Sequence, residues 1–158
     1  MLKITFVIPY FDLADIVDKY IAEARHENIV FDTTHIVGVE DAKKLQFDCD
    51  IVIARGITCA AIREYHGDLT VVEIPVTGYD VICALDECRR KFGARKVAVI
   101  GSGNMVYGSP SLNNILDMQV MVYRVEKEGD AEGLIHRAVR RGAEAIVGGL
   151  MIYNFALG

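Results

Sequence analysis

Short apolar runs alternate with stretches of helical spacing along the whole chain. Residues 3–8 (KITFVI) lack the strict polar alternation of a half-exposed strand, so they predict a strand buried on both faces, as parallel sheets require. Residues 12–25 place Leu13, Ile16, Val17, Tyr20, Ile21 and Ala24 on one helical face. Residues 29–37 predict a strand, in which Thr33 and Thr34 favour extended backbone. A short amphipathic helix over 39–47, a strand over 51–54, a helix over 58–65 and a strand over 70–74 follow. Residues 77–92 predict a long helix that stops at Gly93, the residue type best suited to a left-handed C-terminal turn. Strands at 96–100, 119–125 and 145–147, with helices at 109–116, 131–141 and from about Leu150, complete the pattern.

This alternation predicts an α/β fold with doubly wound parallel sheets. The expected arrangement is two flavodoxin-like lobes, as in periplasmic-binding-protein-like folds, with a cleft between them. Residues 1–76 form the first lobe, 77–93 a bridging helix and 94–158 the second lobe. The segments KFGARKVAVIGSG and RRGAEAIVGGL share one plan: a basic helix end, Gly-Ala, an apolar strand and a glycine-rich turn. That is recurrence of the αβ unit rather than a duplicated domain. A second lobe with three strands is small, so a further strand and helix are expected beyond residue 158, and the lobe is read as truncated at its C-terminus.

Apolar residues make up 52% of the 158, enough for a sizeable core. Lys and Arg total 17 against 22 Asp and Glu, for a net charge of −5. That balance argues against nucleic-acid binding by this segment, which would need clustered cations. The pairs Arg89-Arg90, Arg95-Lys96 and Arg140-Arg141 read instead as charges at helix C-termini. No signal peptide is visible and no apolar run approaches the ~20 residues that span a bilayer, so a cytoplasmic location without a membrane partner is expected. The four cysteines form neither a CxxC pair nor a zinc spacing, which points to reduced thiols and to no metal. No cofactor is expected.

The candidate chemistry sits just beyond strand ends, where open α/β sheets bind small ligands. Arg55-Gly56-Ile57-Thr58-Cys59 follows the strand at 51–54 and opens a helix. Gly56 allows close backbone approach, Thr58 can cap or donate a hydroxyl, and Arg55 can grip an anion in two places. The free N–H groups of the helix start would favour the same anion. A capped helix with a solvated arginine remains equally open. Pro75-Val76-Thr77-Gly78-Tyr79-Asp80 follows the next strand. There Thr77 and Asp80 read as a capping-box-like pair, and Tyr79 faces a cleft or packs between lobes. Gly101-Ser102-Gly103-Asn104-Met105 departs from GxGxxG, because Val106 stands where the last glycine belongs, so dinucleotide binding is not expected. Ser102 and Asn104 read as polar lining and Tyr107 as a wall or lid; a plain turn is the competing reading. Gly148-Gly149-Leu150-Met151 and Tyr10 complete the set. Cys59 at a helix start could have a lowered thiol pKa. A two-lobed racemase-like or decarboxylase-like enzyme would use it, but such a racemase needs a facing thiol, and the loops at 101–107 and 148–152 contain none. The four histidines lie away from any candidate nucleophile, and no catalytic residue is assigned.

The segment DIVIARGITCAAIREYHGDLTVVEIPVTGYDVICAL, residues 50–85, resembles the N-terminal sensor domain of PrpR-type propionate-catabolism activators, which are sigma-54-dependent transcriptional regulators. The matching residues are Arg55, Gly56 and Thr58, then Pro75, Val76, Thr77, Gly78, Tyr79 and Asp80, with Gly148 and Gly149 matching more loosely. The resemblance spans nearly the whole chain and implies a sensor domain rather than an enzyme. It implies a small anionic effector, a carboxylate such as 2-methylcitrate, and ATPase and DNA-binding modules elsewhere in the full-length protein. It also implies self-association, since regulators of this type commonly form homo-oligomers. The expected ligand-binding residues are Tyr10, Arg55, Gly56, Thr58, Cys59, Thr77, Tyr79, Ser102, Asn104, Tyr107, Gly149 and Met151.

Overall fold

The computed structural model describes residues 1–24, 26–36, 38–106 and 109–157. The chain divides into two compact units, Met1–Ile74 and Pro75–Gly158. The first runs β1 (Leu2–Ile8), α1 (Phe11–Glu23), β2 (Ile29–His35), α2 (Val39–Lys44), β3 (Ile51–Ala54), α3 (Gly56–Tyr65) and β4 (Thr70–Glu73). Its four strands are parallel, in the order β2-β1-β3-β4. Ile4, Thr5 and Phe6 of β1 stand beside Ile51, Val52 and Ile53 of β3.

Right-handed crossovers assign the helices of this unit to faces. The chain leaves β1 toward β2 on one side and passes from β2 to β3 and on to β4 in the other direction. α1 therefore covers one face, while α2 and α3 cover the opposite one. The packing agrees: Val7, Val52 and Ala54 of the sheet form a core with Ala42 of α2 and with Cys59, Ala61 and Ile62 of α3.

The second unit runs α4 (Gly78–Phe92), β5 (Lys96–Gly101), α5 (Gly103–Val106), a 3-10 turn over Ser109–Leu112, α6 (Asn113–Leu116) and β6 (Gln119–Arg124). A second 3-10 turn over Glu128–Asp130, α7 (Ala131–Arg140), β7 (Ala145–Gly148) and α8 (Leu150–Leu157) complete it. Its parallel sheet has the order β6-β5-β7. Central β5 carries Val97, Ala98, Val99 and Ile100 in succession, all with no solvent exposure, which is why its sequence shows no polar alternation.

The two parallel sheets and their order establish the α/β, flavodoxin-like class. The helix expected as a bridge, α4, buries Val81, Leu85 and Cys88 against Val97, Val99 and Val120 in the core of the second unit. At its start the Asp80 N–H donates to the Thr77 hydroxyl oxygen at 3.3 Å, and the Thr77 N–H donates to the Asp80 carboxylate at 2.7 Å. This is the capping box read from the sequence. At its other end Gly93 takes φ 66° and its N–H donates to the Arg89 carbonyl.

Several boundaries differ from the sequence reading. α2 ends at Lys44 because Leu45 turns extended (φ −73°, ψ 136°) and, with Phe47, packs on the core from the loop. α3 starts at Gly56, not Thr58. The helix expected over 109–116 is a 3-10 turn followed by a single helical turn. That turn ends at Asp117 in the left-handed region, φ 50°. α5 occupies a stretch read as a loop.

Candidate functional site

In the first unit the strand order reverses between β1 and β3, since β1 connects outward to β2 and β3 connects outward to β4. Beyond the carboxyl ends of the strands at such a switch point lies the usual ligand crevice of an open α/β sheet. Tyr10 follows β1 and Arg55 follows β3, so paired strands deliver both to that edge. Each is half-buried, and each takes the N-cap position of the next helix with extended backbone. Neither side chain caps its helix. The starts of α1 and α3 thus receive no side-chain acceptor from their N-cap residues, although the Leu13 N–H donates to the Tyr10 carbonyl at 3.2 Å; first-turn N–H groups without a side-chain cap suit a carboxylate or phosphate. Arg55 has no ion pair or side-chain hydrogen bond among the described residues. Gly56 takes φ +60°, a turn that L side chains rarely adopt, and a Cβ there would meet nothing within 4 Å. The turn is therefore open above its backbone.

Thr58 and Cys59 lie beneath this edge. Thr58 is inside the first turn of α3 and 7% exposed, so it is not the cap, and Cys59 is fully enclosed. Burial pushes the Cys59 thiol up; the nearby Arg63 charge opposes this and Glu73 adds to it. A reactive thiol needs the reverse shift and access, so the geometry weighs against the thiol enzyme considered above. Cys88 is likewise buried, with its thiol pushed up by desolvation.

In the second unit the reversal falls between β5 and β7, so Ser102 after β5 and Gly149 after β7 end paired strands. Ser102 is half-buried and its carbonyl accepts the N–H groups of Met105 and Val106. α5, a single turn of four residues, sums few peptide dipoles, so Ser102 offers a hydroxyl and backbone rather than a helix field. A Cβ on Gly148 would lie 2.6 Å from Ile152 Cβ, and only glycine permits that approach of α8. Gly149 is exposed and unobstructed, and Met151 is half-buried in α8. Asn104 is on α5, its side chain outside the described set, and Tyr107 lies outside the described residues. Thr77 spends its hydroxyl proton on Asp80 at 2.8 Å, and Tyr79 is 81% exposed.

The structure thus brings together Tyr10, Arg55 and Gly56 in one unit, and Ser102, Gly149 and Met151 in the other. It adds a residue that the sequence reading missed. Arg124 ends β6 opposite Gly101, at the same edge as Ser102. Its guanidinium lies against Gly103. The signal for it is a cross-strand register, which no local motif carries. Among the described residues no group of acidic, histidine or cysteine side chains could hold a metal ion, and no described helix is long and apolar enough to cross a membrane.

A family model described as "Propionate catabolism activator" matches residues 22–158. The crystal structure of an NtrC family transcriptional regulator from Clostridium acetobutylicum superposes with a TM-score of 0.80 at 20% identity, covering 99% of this chain and 82% of that one. At that identity the likeness establishes the fold. A conserved domain protein from Vibrio cholerae gives a TM-score of 0.43 at 12% identity, covering 92% of this chain and 64% of that one. A putative transcriptional regulator from Clostridium difficile 630 gives 0.38 at 10%, with 99% and 62% covered. Neither of these two weighs in the argument. No curated protein sequence matches the chain.

Proposed function

The chain belongs to the propionate catabolism activator family, and we propose that it is the effector-sensing domain of a sigma-54-dependent, cytoplasmic, self-associating transcriptional regulator. The effector is a small anionic metabolite, a carboxylate such as 2-methylcitrate. Arg55 and the uncapped starts of α1 and α3 hold one carboxylate. Tyr10 stands at the same edge of that unit, and Ser102, Gly149 and Met151 are kept as candidate contacts at the corresponding edge of the second unit. Tighter binding to a closed than to an open arrangement is the signal, since a ligand shifts an equilibrium only by its differential affinity. ATPase and DNA-binding modules elsewhere in the protein receive it.

One observation carries this reading. A half-buried arginine without a carboxylate partner among the described residues stands beside two helix starts that lack side-chain caps, at a strand-order reversal. The test is titration calorimetry with 2-methylcitrate and tricarballylate on the chain and on Arg55→Ala. Loss of a charge-assisted contact should weaken binding by about 1–3 kcal/mol. Unchanged affinity in the variant removes Arg55 from the site, and absence of binding to the unaltered chain overturns the reading.

A further inference from the structure

We propose that the first unit carries a separate ligand site, away from the Arg55 edge, that takes a small primary alkylammonium. Side chains alternate along a strand, so Lys3 and Thr5 share the face of Val7, which packs with α2 and α3. On the outer strand β2 their register partners are Val30 and Asp32, and Thr34 stands beside Val7. α2 ends at Lys44, and the chain after it wraps over this face as a loop. An open groove of about 430 Å³ results, floored by Thr5, Val30, Asp32 and Thr34 and walled by Leu45 and Phe47. Lys3 and Asp48 line it as well, paired at 2.7 Å.

Three acceptors in this groove are unanswered. Thr5 is 7% exposed, and its hydroxyl has no hydrogen bond among the described residues. No enclosed side-chain oxygen among those residues lacks a partner, so the Thr5 oxygen is not sealed in; it opens on the groove that Thr5 lines. The Thr34 hydroxyl is likewise unpartnered among the described residues. Asp32 accepts the Thr33 N–H at 2.9 Å, but no described cation pairs with its carboxylate, because Lys3 turns to Asp48. Two carboxylates against one ammonium disfavour an anion and favour a cation. An ammonium has three N–H donors, and the Asp32 carboxylate and the Thr5 and Thr34 hydroxyl oxygens can each accept one. Thr5 and Asp32 stand on paired strands, about 4.8 Å apart, a gap that one nitrogen bridges with two bonds of about 2.9 Å. Val30, Leu45 and Phe47 offer apolar surface to the alkyl chain. A quaternary ammonium brings the charge without the donors. The effector proposed above is an anion, so this site does not rest on that reading.

The test is titration of the nitrogen-15-labelled 158-residue chain with n-butylammonium, tetramethylammonium and acetate at constant ionic strength, read from amide chemical shifts. Butylammonium should give saturable shifts at Thr5, Asp32, Thr34 and Phe47, and the other two should not. Asp32 is exposed, so Asp32→Asn should keep the fold and weaken butylammonium about fivefold or more, as loss of a charge-assisted contact does. Thr5→Val should weaken it too, whereas Thr5→Ser, which keeps the hydroxyl, should bind as the unaltered chain does. Lys3→Met, which removes the competing ammonium, should not weaken it. Nα-acetyl-lysine methylamide separates a free amine from a lysine side chain: tighter binding of this probe than of butylammonium overturns the small-amine assignment in favour of a polypeptide lysine. Butylammonium shifts that do not saturate, that tetramethylammonium reproduces, or that Asp32→Asn leaves within twofold overturn the site, and the sensor reading is untouched by that result.

Discussion

Cys59 separates a sensor from a thiol enzyme, and its surroundings allow the outcome to be estimated. The residue has no solvent exposure and packs in the core formed with Val7, Ala54, Ala61 and Ile62. Replacing it by alanine removes one heavy atom from an enclosed site. The nearest measured analogy is a single buried methylene deletion, which costs about 0.5–1.5 kcal/mol. Serine is the harsher change, because a buried hydroxyl without a partner costs about 1–3 kcal/mol. The Arg55 carbonyl, which already accepts the Cys59 N–H at 3.3 Å, stands one helical turn back and can take part of that cost. Effector affinity should not change with alanine. Labelling should follow exposure: Cys83 is exposed, Cys49 half-buried, and Cys59 and Cys88 are buried. Even a local opening of about 3 kcal/mol slows modification by about 100-fold. The assay is iodoacetamide labelling at neutral pH, read by peptide mass spectrometry over time. Cys83 should react first and Cys59 at least 100-fold more slowly. Modification of Cys59 as fast as Cys83 in the folded chain would refute the placement of this thiol and restore it as a candidate nucleophile.

Two further expectations concern stability. Thr77→Ala breaks the capping box of α4 and should cost about 0.5–2 kcal/mol in denaturant unfolding. If the hydroxyl only caps, effector affinity holds, whereas a matching affinity loss would give Thr77 a ligand role. Glu144 accepts the backbone N–H groups of Arg95 and Lys96 at 2.6 and 3.0 Å, and these bonds hold its carboxyl below the usual glutamate range. A lowered folded-state pKa means that the contribution is complete above the ordinary glutamate value and is lost as the pH falls through the lowered one. Glu144→Gln should therefore lower the thermal midpoint at neutral pH, and the difference from the unaltered chain should shrink in acid; a constant difference would exclude the charge as its cause.

What was legible in the sequence was local. The capping box at Thr77 and Asp80 lies within one helical turn, Gly93 follows the last helical residue, and the buried run at 96–100 announces a central strand. What misled were patterns that a local reading cannot resolve. Leu45 and Phe47 extended the apolar face of α2, yet they reach the core from a loop, so burial was right and helicity was not. Starting α3 two residues early moved Thr58 from the cap into the buried first turn. Arg124 acquires meaning only from the pairing of β6 with β5 and from the absent side chain at Gly103. Both facts are non-local.

The helix starts differ in a way that bears on the site. α4 has an acid in its first turn, basic residues in its last and a reciprocal side-chain cap, so its dipole and an orphan donor are answered from within the chain. α3 has no acid in its first turn and no side-chain cap, and the residue at its N-cap position is an arginine. A cation at the positive end of a helix is the placement that the dipole disfavours. Nothing about the local sequence requires it, since Ser, Thr, Asp or Asn at that position would cap the helix and remove the repulsion. The cost has a physical return if an anion occupies the turn. The free N–H groups, the dipole and the guanidinium then act on one charge. The same fields that destabilise the empty site become the binding energy of the filled one, which is the differential that a sensor needs.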